Sequence, residues 1–457
     1  MKQTSEKRAA AFSSTALALL ALLVASGCAT VRDAREAQKE ASRLAGERVM
    51  TYEETGLPTN GPIAIADLEQ AALKTSPAVL QARQSIILAQ LALRDIKSSY
   101  IPTVDASAGY MLSTANVDPH DQSGSMDDKF AAGATLNMLV YDFGKTKAAT
   151  RQAASALIAA ERTGRTQENE VLYQVRRACY ELKRQAELRD VATETAEIYA
   201  EHLRQAQARL DVGAVNSYAV TKANVDWAQS VLAAVTASNR VHTAQAGLTL
   251  ALGLDYMPPF AIDDSDVRSY EGLGVDDLMA IARTNAPSLA ALRAAAEGAS
   301  AYVDKTVADL YPSLGVKIQF SAEGEDSPFL WNLVGGANLT QSIFAAGRKR
   351  RAIDSAVAQL RVARSKVAAE ELVLCNHLTL AVLDSIRSRQ QLDVAMKSEE
   401  MAQENFEIAT QRYNVGTASE LERSDAQVAL ASAKASVVSA RYDYLDSQVQ
   451  ISRLVGE

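Results

Sequence analysis

The chain has 457 residues, 48% of them hydrophobic but only 5% aromatic, with alanine-rich stretches such as "AASALIAAE" and "SLAALRAAAEGASA". That length could hold two or three ordinary domains, and that balance favours long helices packed through small side chains over a globular enzyme core. A formal net charge of −8 lacks the basic footprint that a nucleic-acid groove needs.

Lys2, Lys7 and Arg8 precede the apolar run "ALALLALLVA", which ends at "SGC". Residues 1–27 therefore read as a secretory signal peptide that lies outside the fold. Gly27-Cys28 resembles a lipoprotein site, at which Cys28 would carry the lipid, palmitate included, and become the mature N-terminus. Ala25 departs from the Leu usual in such sites, and Ala29 after the cysteine favours outer-membrane sorting in that resemblance. Residues 28–61 are charged and partly helical, and read as an N-terminal periplasmic segment. No later stretch approaches the roughly 18 uninterrupted apolar residues of a membrane helix, so any crossing must be made by strands.

From residue 62 the chain is written twice. "ARLDVGAVNSYAVTKANV" from Ala208 is echoed by "TQRYNVGTASELERSDAQV" from Thr410, with Gly213 matched to Gly416 at an offset of 203. Gly144 matches Gly347 and Gly253 matches Gly456 at that same offset, whereas upstream Pro77 matches Pro287 and Pro102 matches Pro312 at 210. The seven extra residues must fall between Pro102 and Gly133, because loops absorb insertions and packed elements do not. The predicted organisation is a first repeat over 62–253, a connector over 254–275 and a second repeat over 276–457.

Within each repeat the periodicity changes from helical to two and back. Val104, Ala106, Ala108, Tyr110 and Leu112 alternate against Thr103, Asp105, Ser107 and Ser113; Leu314, Val316, Ile318 and Phe320 alternate against Ser313, Lys317, Gln319 and Ser321. Strands are predicted near 101–114, 129–142, 313–322 and 331–343, with lipid on one face and water on the other. Aromatic residues gather at their edges (Tyr100, Tyr141, Phe143, Tyr311, Phe344), as interfacial girdles do. Two hairpins leave open edges that hydrocarbon penalises, so other copies must complete the sheet to eight strands or to twelve.

Residues 145–211 contain no Pro and only Gly164, which predicts a helix of about 100 Å at ~1.5 Å per residue. The return path is two shorter helices stacked end to end, and Gly213 and Gly416 followed by Asn216 and Ser419 make the hairpin tips. Cys179 and Cys375 fall in helical patterns and read as two buried thiols. The fold class is mainly α with a small β part, built from duplicated long antiparallel hairpins.

The order of helix, Tyr100-Ile101-Pro102 or Tyr311-Pro312, strand pair, long helix, Arg209-Leu-Asp-Val-Gly or Arg412-Tyr-Asn-Val-Gly, and helix, duplicated over about 62–456, resembles the TolC-like outer-membrane efflux protein family. The resemblance implies a homotrimer whose four strands per chain build a 12-stranded outer-membrane barrel, continued by a helical tunnel. Such a duct docks to a periplasmic membrane-fusion adaptor and an inner-membrane pump, for efflux or type I secretion. It implies adaptor contact at Val212, Gly213 and Ala214 and at Val415, Gly416 and Thr417. Glu422 and Asp425, one helix face apart by three residues, would ring the narrow end with carboxylates and favour cations. Tyr413 matches a tyrosine that holds the closed state, although Ala219 and Ala418 stand where its polar partners are usual.

Arg348, Lys349, Arg350 and Arg351 open the second long helix, where cations oppose the macrodipole. Phospholipid headgroups at the barrel edge would offset that cost. No phosphate loop, HExxH, CxxC or G-x-S-x-G occurs, and the four histidines lack ligand spacing, so neither enzyme, metal nor cofactor is expected; His202 and His242 read as helix-surface residues. The competing reading is a non-conducting periplasmic coiled-coil tether, which would not need alternating, aromatic-edged strands.

Overall fold

The computed structural model describes residues 32–43, 51–58, 61–114, 126–213, 215–258, 260–263, 269–324 and 330–456. Two units are distinguished, residues Met1–Thr51 and Tyr52–Glu457. In the first, residues 32–43 form an exposed helix (α1) carrying an i,i+4 ion pair, Arg32 to Glu36, at 3.3 Å. Cys28 lies outside the described residues. Among these, no helix is long and apolar enough to cross a membrane.

The second unit runs β1 (Ile63–Ala64), α2 (Ile65–Thr75), α3 (Pro77–Ser98), β2 (Thr103–Thr114), β3 (Met126–Tyr141), α4 (Lys145–Asp211) and α5 (Ser217–Leu252). The order then repeats as β4 (Ile262–Asp263), α6 (Val275–Asn285), α7 (Pro287–Ala308), β5 (Ser313–Gly324), β6 (Leu330–Thr340), α8 (Arg348–Asn414) and α9 (Glu420–Val455). Both long helices, α4 and α8, have 67 residues, and both helices after the tip, α5 and α9, have 36. The first repeat is joined to the connector by the parallel pairing of β1 with β4.

The return path is jointed where α5 meets α3 and where α9 meets α7. Gly253 (φ +71°) ends α5 in the left-handed region, and a Cβ there would meet Pro77 Cδ at 3.1 Å and Thr75 O at 3.2 Å. The Thr75 hydroxyl donates to the Leu252 carbonyl, one of the acceptors the helix end leaves unpaired. Gly456 (φ +86°) does the same for α9, tighter still, with Asn285 O only 2.7 Å from the position of a Cβ. A side chain at either glycine would therefore meet both backbone strain and a neighbouring main chain.

Two hydrophobic clusters flank the joints and share a set of equivalent positions. Leu68, Val79, Val171, Val175, Leu248 and Leu252 in one correspond to Leu278, Leu289, Leu374, Leu378, Ile451 and Val455 in the other. Bulk has been exchanged elsewhere: Gly164 of α4 receives Ile86 of α3, whose Cδ1 is 3.0 Å from where a Cβ would stand, while the matching pair is Val367 and Ala296. Cys179 is buried, and burial pushes its thiol up to about 12. The expectation of two buried thiols fails at Cys375, which is exposed because its side of α8 is uncovered within one chain.

The four long strands form one antiparallel sheet in the order β2-β3-β5-β6. Thr103 pairs with Asn137, Leu136 with Ile318 and Val316 with Ala337. An irregularity between Leu139 and Tyr141 shifts the β3–β5 register just before the chain enters α4. β2 and β6 are the two edges.

Substituting Gly456→Ala should lower the melting temperature measured by circular dichroism more than Gly213→Ala. Both incur the left-handed penalty of about 1–2 kcal/mol. Only Gly456 also meets a neighbouring chain segment, since a Cβ at Gly213 would find no other group within 4 Å.

Candidate tunnel gate and membrane edge

At both hairpin tips the long helix stops on a valine followed by a left-handed glycine, Val212-Gly213 (φ +72°) and Val415-Gly416 (φ +79°). The next helix begins with a side-chain cap: Asn216 Oδ1 accepts from the Ala219 amide at 3.2 Å, and Ser419 Oγ from the Glu422 amide at 3.2 Å. Thr417 closes the second turn by donating from Oγ1 to the Arg412 carbonyl at 3.0 Å. The valines are left outside, 79% and 75% exposed, so each tip presents an apolar side chain that the turn itself does not use. Ala214 lies outside the described residues.

Tyr413 is not short of polar partners, contrary to the expectation drawn from Ala219 and Ala418. The Arg423 guanidinium lies 4.0 Å from its ring centroid and that of Arg209 4.4 Å, attractive geometry for cation and ring. Arg423 is only 2% exposed and is held by donating to both carboxylate oxygens of Glu420 (2.7 and 2.9 Å) and to Gln205 Oε1 (3.0 Å). Burial, together with the Glu420 carboxylate nearby, pushes the Tyr413 phenol above its ordinary value. The node thus ties α4, α8 and α9 together one turn or two above the tips. Sequence reasoning missed Arg423, and the available signal was that the first repeat carries Val220 at the matching position.

His202, read from sequence as a surface residue, is buried beside this node, edge-on to Tyr199 with ring centroids 5.7 Å apart and Nδ1 without a partner. Burial first, and then the Arg423 charge, depress its pKa to about 4, against the opposing pull of Glu420, Glu201 and Asp226. Glu422 and Asp425 lie on the opposite side of α9 from the buried Arg423, Ser424, Ala426 and Gln427, and both are exposed. Glu422 stands 4.0 Å from Arg412.

At the sheet end the two strand-to-helix turns are built differently. In the first, Asp142 is buried and accepts from the amides of Thr146 (2.6 Å) and Gly144 (3.3 Å) and from the Tyr100 hydroxyl (3.3 Å), complementing the N-terminus of α4. The second has Ala345 at that place, which offers no such acceptor, and there the basic run donates to carbonyl oxygens. Arg348 donates to the Ala345 carbonyl (3.4 Å), Arg351 to that of Ala346 (3.2 Å) and Lys349 to that of Asp309 (2.7 Å), while Arg350 pairs with Asp354 (3.4 Å). These carbonyls and the Asp354 carboxylate supply part of the offset that the cations at a helix N-terminus require. Both turns hold a non-glycine residue at positive φ, Phe143 (52°) and Ala346 (47°), at equivalent positions. Tyr141, Phe143 and Tyr311 cluster there, with ring centroids 4.8 and 6.0 Å apart.

Because the folded pKa of His202 lies below its unfolded value, the unfolded segment binds more protons between pH 6.5 and about 4. Local stability is therefore full above that window and is lost as the pH falls through it. Hydrogen exchange over residues 196–208, corrected for intrinsic rates, should accelerate from pH 7 to pH 5, and His202→Gln should flatten the trend. Arg423→Ala removes charged hydrogen bonds worth about 1.5–3 kcal/mol and should speed exchange in the same segment at every pH.

The family described as "Outer membrane efflux protein" matches residues 68–254 and 278–457. No curated protein matches the chain. Among solved structures, one of CusC superposes with a TM-score of 0.75 at 17% identity, covering 88% of this chain and 96% of that one. VceC, an outer membrane protein of Vibrio cholerae, gives 0.72 at 18% identity over 86% of this chain and 96% of its own. The CmeC outer membrane channel of Campylobacter jejuni gives 0.72 at 20% identity over 86% and 85%. At these identities the likeness is one of fold, but the family match spans both repeats almost completely, and the chain belongs to the outer membrane efflux protein family.

Proposed function

We propose that the chain is the exit duct of a tripartite efflux or type I secretion system, a passive conduit formed by three copies. The observation that carries this reading is the four-stranded sheet with two open edges, continuous with two hairpins of 67-residue helices. Backbone groups on β2 and β6 must be paired if the sheet lies in hydrocarbon. Three copies give twelve strands and a barrel wide enough to conduct, and the six hairpins continue it as a tunnel. The domain organisation follows: a signal peptide over 1–27, a lipid-bearing Cys28 at the head of 28–61, and two repeats over 62–253 and 276–457 separated by the connector 254–275.

The roles of the tip residues follow from their exposure. Val212 and Val415, with Gly213, Ala214, Gly416 and Thr417 around them, offer apolar knobs to a periplasmic adaptor that in turn holds an inner-membrane pump. Glu422 and Asp425 project from the open side of α9, where threefold symmetry gathers six carboxylates at the narrow end and draws cations. Tyr413 latches the closed tip through Arg423, Glu420 and Arg209. At the other end, those N–H groups of Arg348, Lys349, Arg350 and Arg351 not used by the turn face the phosphates of the lipid headgroups. Tyr141, Phe143 and Tyr311 mark the same interface level.

In planar bilayers the purified protein should open in small, cation-selective steps. Replacing Glu422 and Asp425 together by Ala should enlarge the openings and reduce the selectivity, and Arg423→Ala should increase the open fraction. Conductance indifferent to the carboxylates would keep the duct and discard the gate. A well-folded oligomer that conducts nothing would make the protein a tether.

A further inference from the structure

His202 plays no part in the sheet, the turns or the carboxylates of the tip, yet it sits where four helices meet. It is 7% exposed on α4 and lies edge-on to Tyr199 of the same helix. From α9 it feels the charges of Arg423 and Glu420, from α5 that of Asp226, which Lys222 holds at 2.7 Å, and from its own helix that of Glu201. The fourth helix, α8, enters the cluster through Tyr413, whose ring lies against the guanidiniums of Arg423 and Arg209. The pairing of long helices does not by itself require this arrangement. The second repeat has Asn405 at the matching place, and that residue is exposed.

The cluster is incompletely paired. His202 Nδ1, Arg423 Nε, Gln427 Oε1 and Thr410 Oγ1 are all buried without a hydrogen-bond partner, and such atoms subtract from the stability of the contact that buries them. Near the tips α9 reaches α4 and α8 through the Arg423 guanidinium, which donates to Gln205 Oε1 at 3.0 Å and lies 4.0 Å from the centroid of the Tyr413 ring. Glu420 fixes that guanidinium in place at 2.7 and 2.9 Å. A proton on His202 adds a second buried cation to this small space. The imidazolium repels the guanidinium and competes for the carboxylate that fixes it, so the closed contact weakens on both counts.

We propose that His202 is a proton sensor that loosens the second hairpin tip when its surroundings become acidic, by drawing Glu420 away from Arg423 and releasing Arg423 from Gln205 and Tyr413. The proposal rests on the duct reading above and adds to it a trigger that needs no partner protein. Its sign follows from the burial of the imidazole and the nearness of Arg423, which hold its pKa at about 4 in the closed contact, below the ordinary 6.5. The closed form is therefore favoured in full above pH 6.5 and loses that advantage as the pH falls toward 4. For a released imidazole at 6.5, the open-to-closed ratio rises by about 20-fold per chain between pH 7 and pH 5.

The test uses the full-length oligomer carrying Cys375→Ser and Val415→Cys, spin-labelled at the exposed tip. Pulsed dipolar distances between copies and the open fraction in planar bilayers are both read at pH 7 and at pH 5. In this parent the distances should lengthen and the open fraction should rise at pH 5. His202→Gln and His202→Leu, neither of which takes up a proton, should hold both readings at their pH 7 values. Glu422 and Asp425 are titratable too, and replacing both by Ala should leave the response in place. Readings that do not differ between the two pH values in the parent, or a response that His202→Gln retains in full, would overturn the sensor and leave the duct standing. Bilayers silent at both pH values, with distances that lengthen only when His202 is present, would overturn the duct and keep the sensor.

Discussion

A backbone amide placed in hydrocarbon has no water to turn to, so each one must be bonded to another backbone group. The four strands of this chain satisfy that requirement for β3 and β5 and leave one side of β2 and one side of β6 unsatisfied. Much else in the molecule is arranged around that shortage. The edges demand copies, the copies demand a surface along which long helices can associate, and large apolar side chains are left bare on α3, α5 and α8. An isolated chain is in this sense an unfinished object. Its sheet and its helical wall both end in surfaces that only repetition can cover.

Duplication solves half of that problem inside one polypeptide and leaves a record of how the two halves diverged. Around the joints six buried apolar positions have stayed apolar in both repeats, because a packed core tolerates little change. Divergence is concentrated where the two repeats face different neighbours. Asp142 is matched by Ala345, and around the second turn basic side chains donate to carbonyl oxygens where the first has a carboxylate accepting from amides. Val220 is matched by the buried Arg423, which bonds to Gln205 of α4 and lies over the ring of Tyr413 of α8.

The parts that were legible in the sequence are those that depend on local chemistry. Gly213, Gly416, Gly253 and Gly456 announce left-handed stops, Asn216 and Ser419 announce caps, and the alternation from Leu314 to Phe320 announces a strand; each signal lies within a few residues. The parts that were not legible depend on which helices are neighbours. Gln205 and Arg423 are 218 positions apart, and no periodicity within α4 marks His202 as facing that contact. Cys375 misled for the same reason, since its local helical pattern does not say which side of α8 the chain's other helices cover. The turn at Ala345 was legible only as an excess of positive charge, without the carbonyl oxygens that receive it.

The glycine joints have a mechanical meaning beyond their tight packing. Each hairpin sets one unbroken 67-residue helix beside a strut made of two pieces, and the pieces meet where the helical hydrogen-bond ladder is already interrupted. Swinging the 36-residue segment about that joint breaks no helical bond, whereas its neighbour must distribute the same motion as gentle curvature. A lever of about 54 Å turned through about 10° carries its far end roughly 9 Å. The tips lie farthest from the joint and would travel a distance comparable to a helix diameter, whereas Leu252 and Val455, beside the joint, would scarcely move.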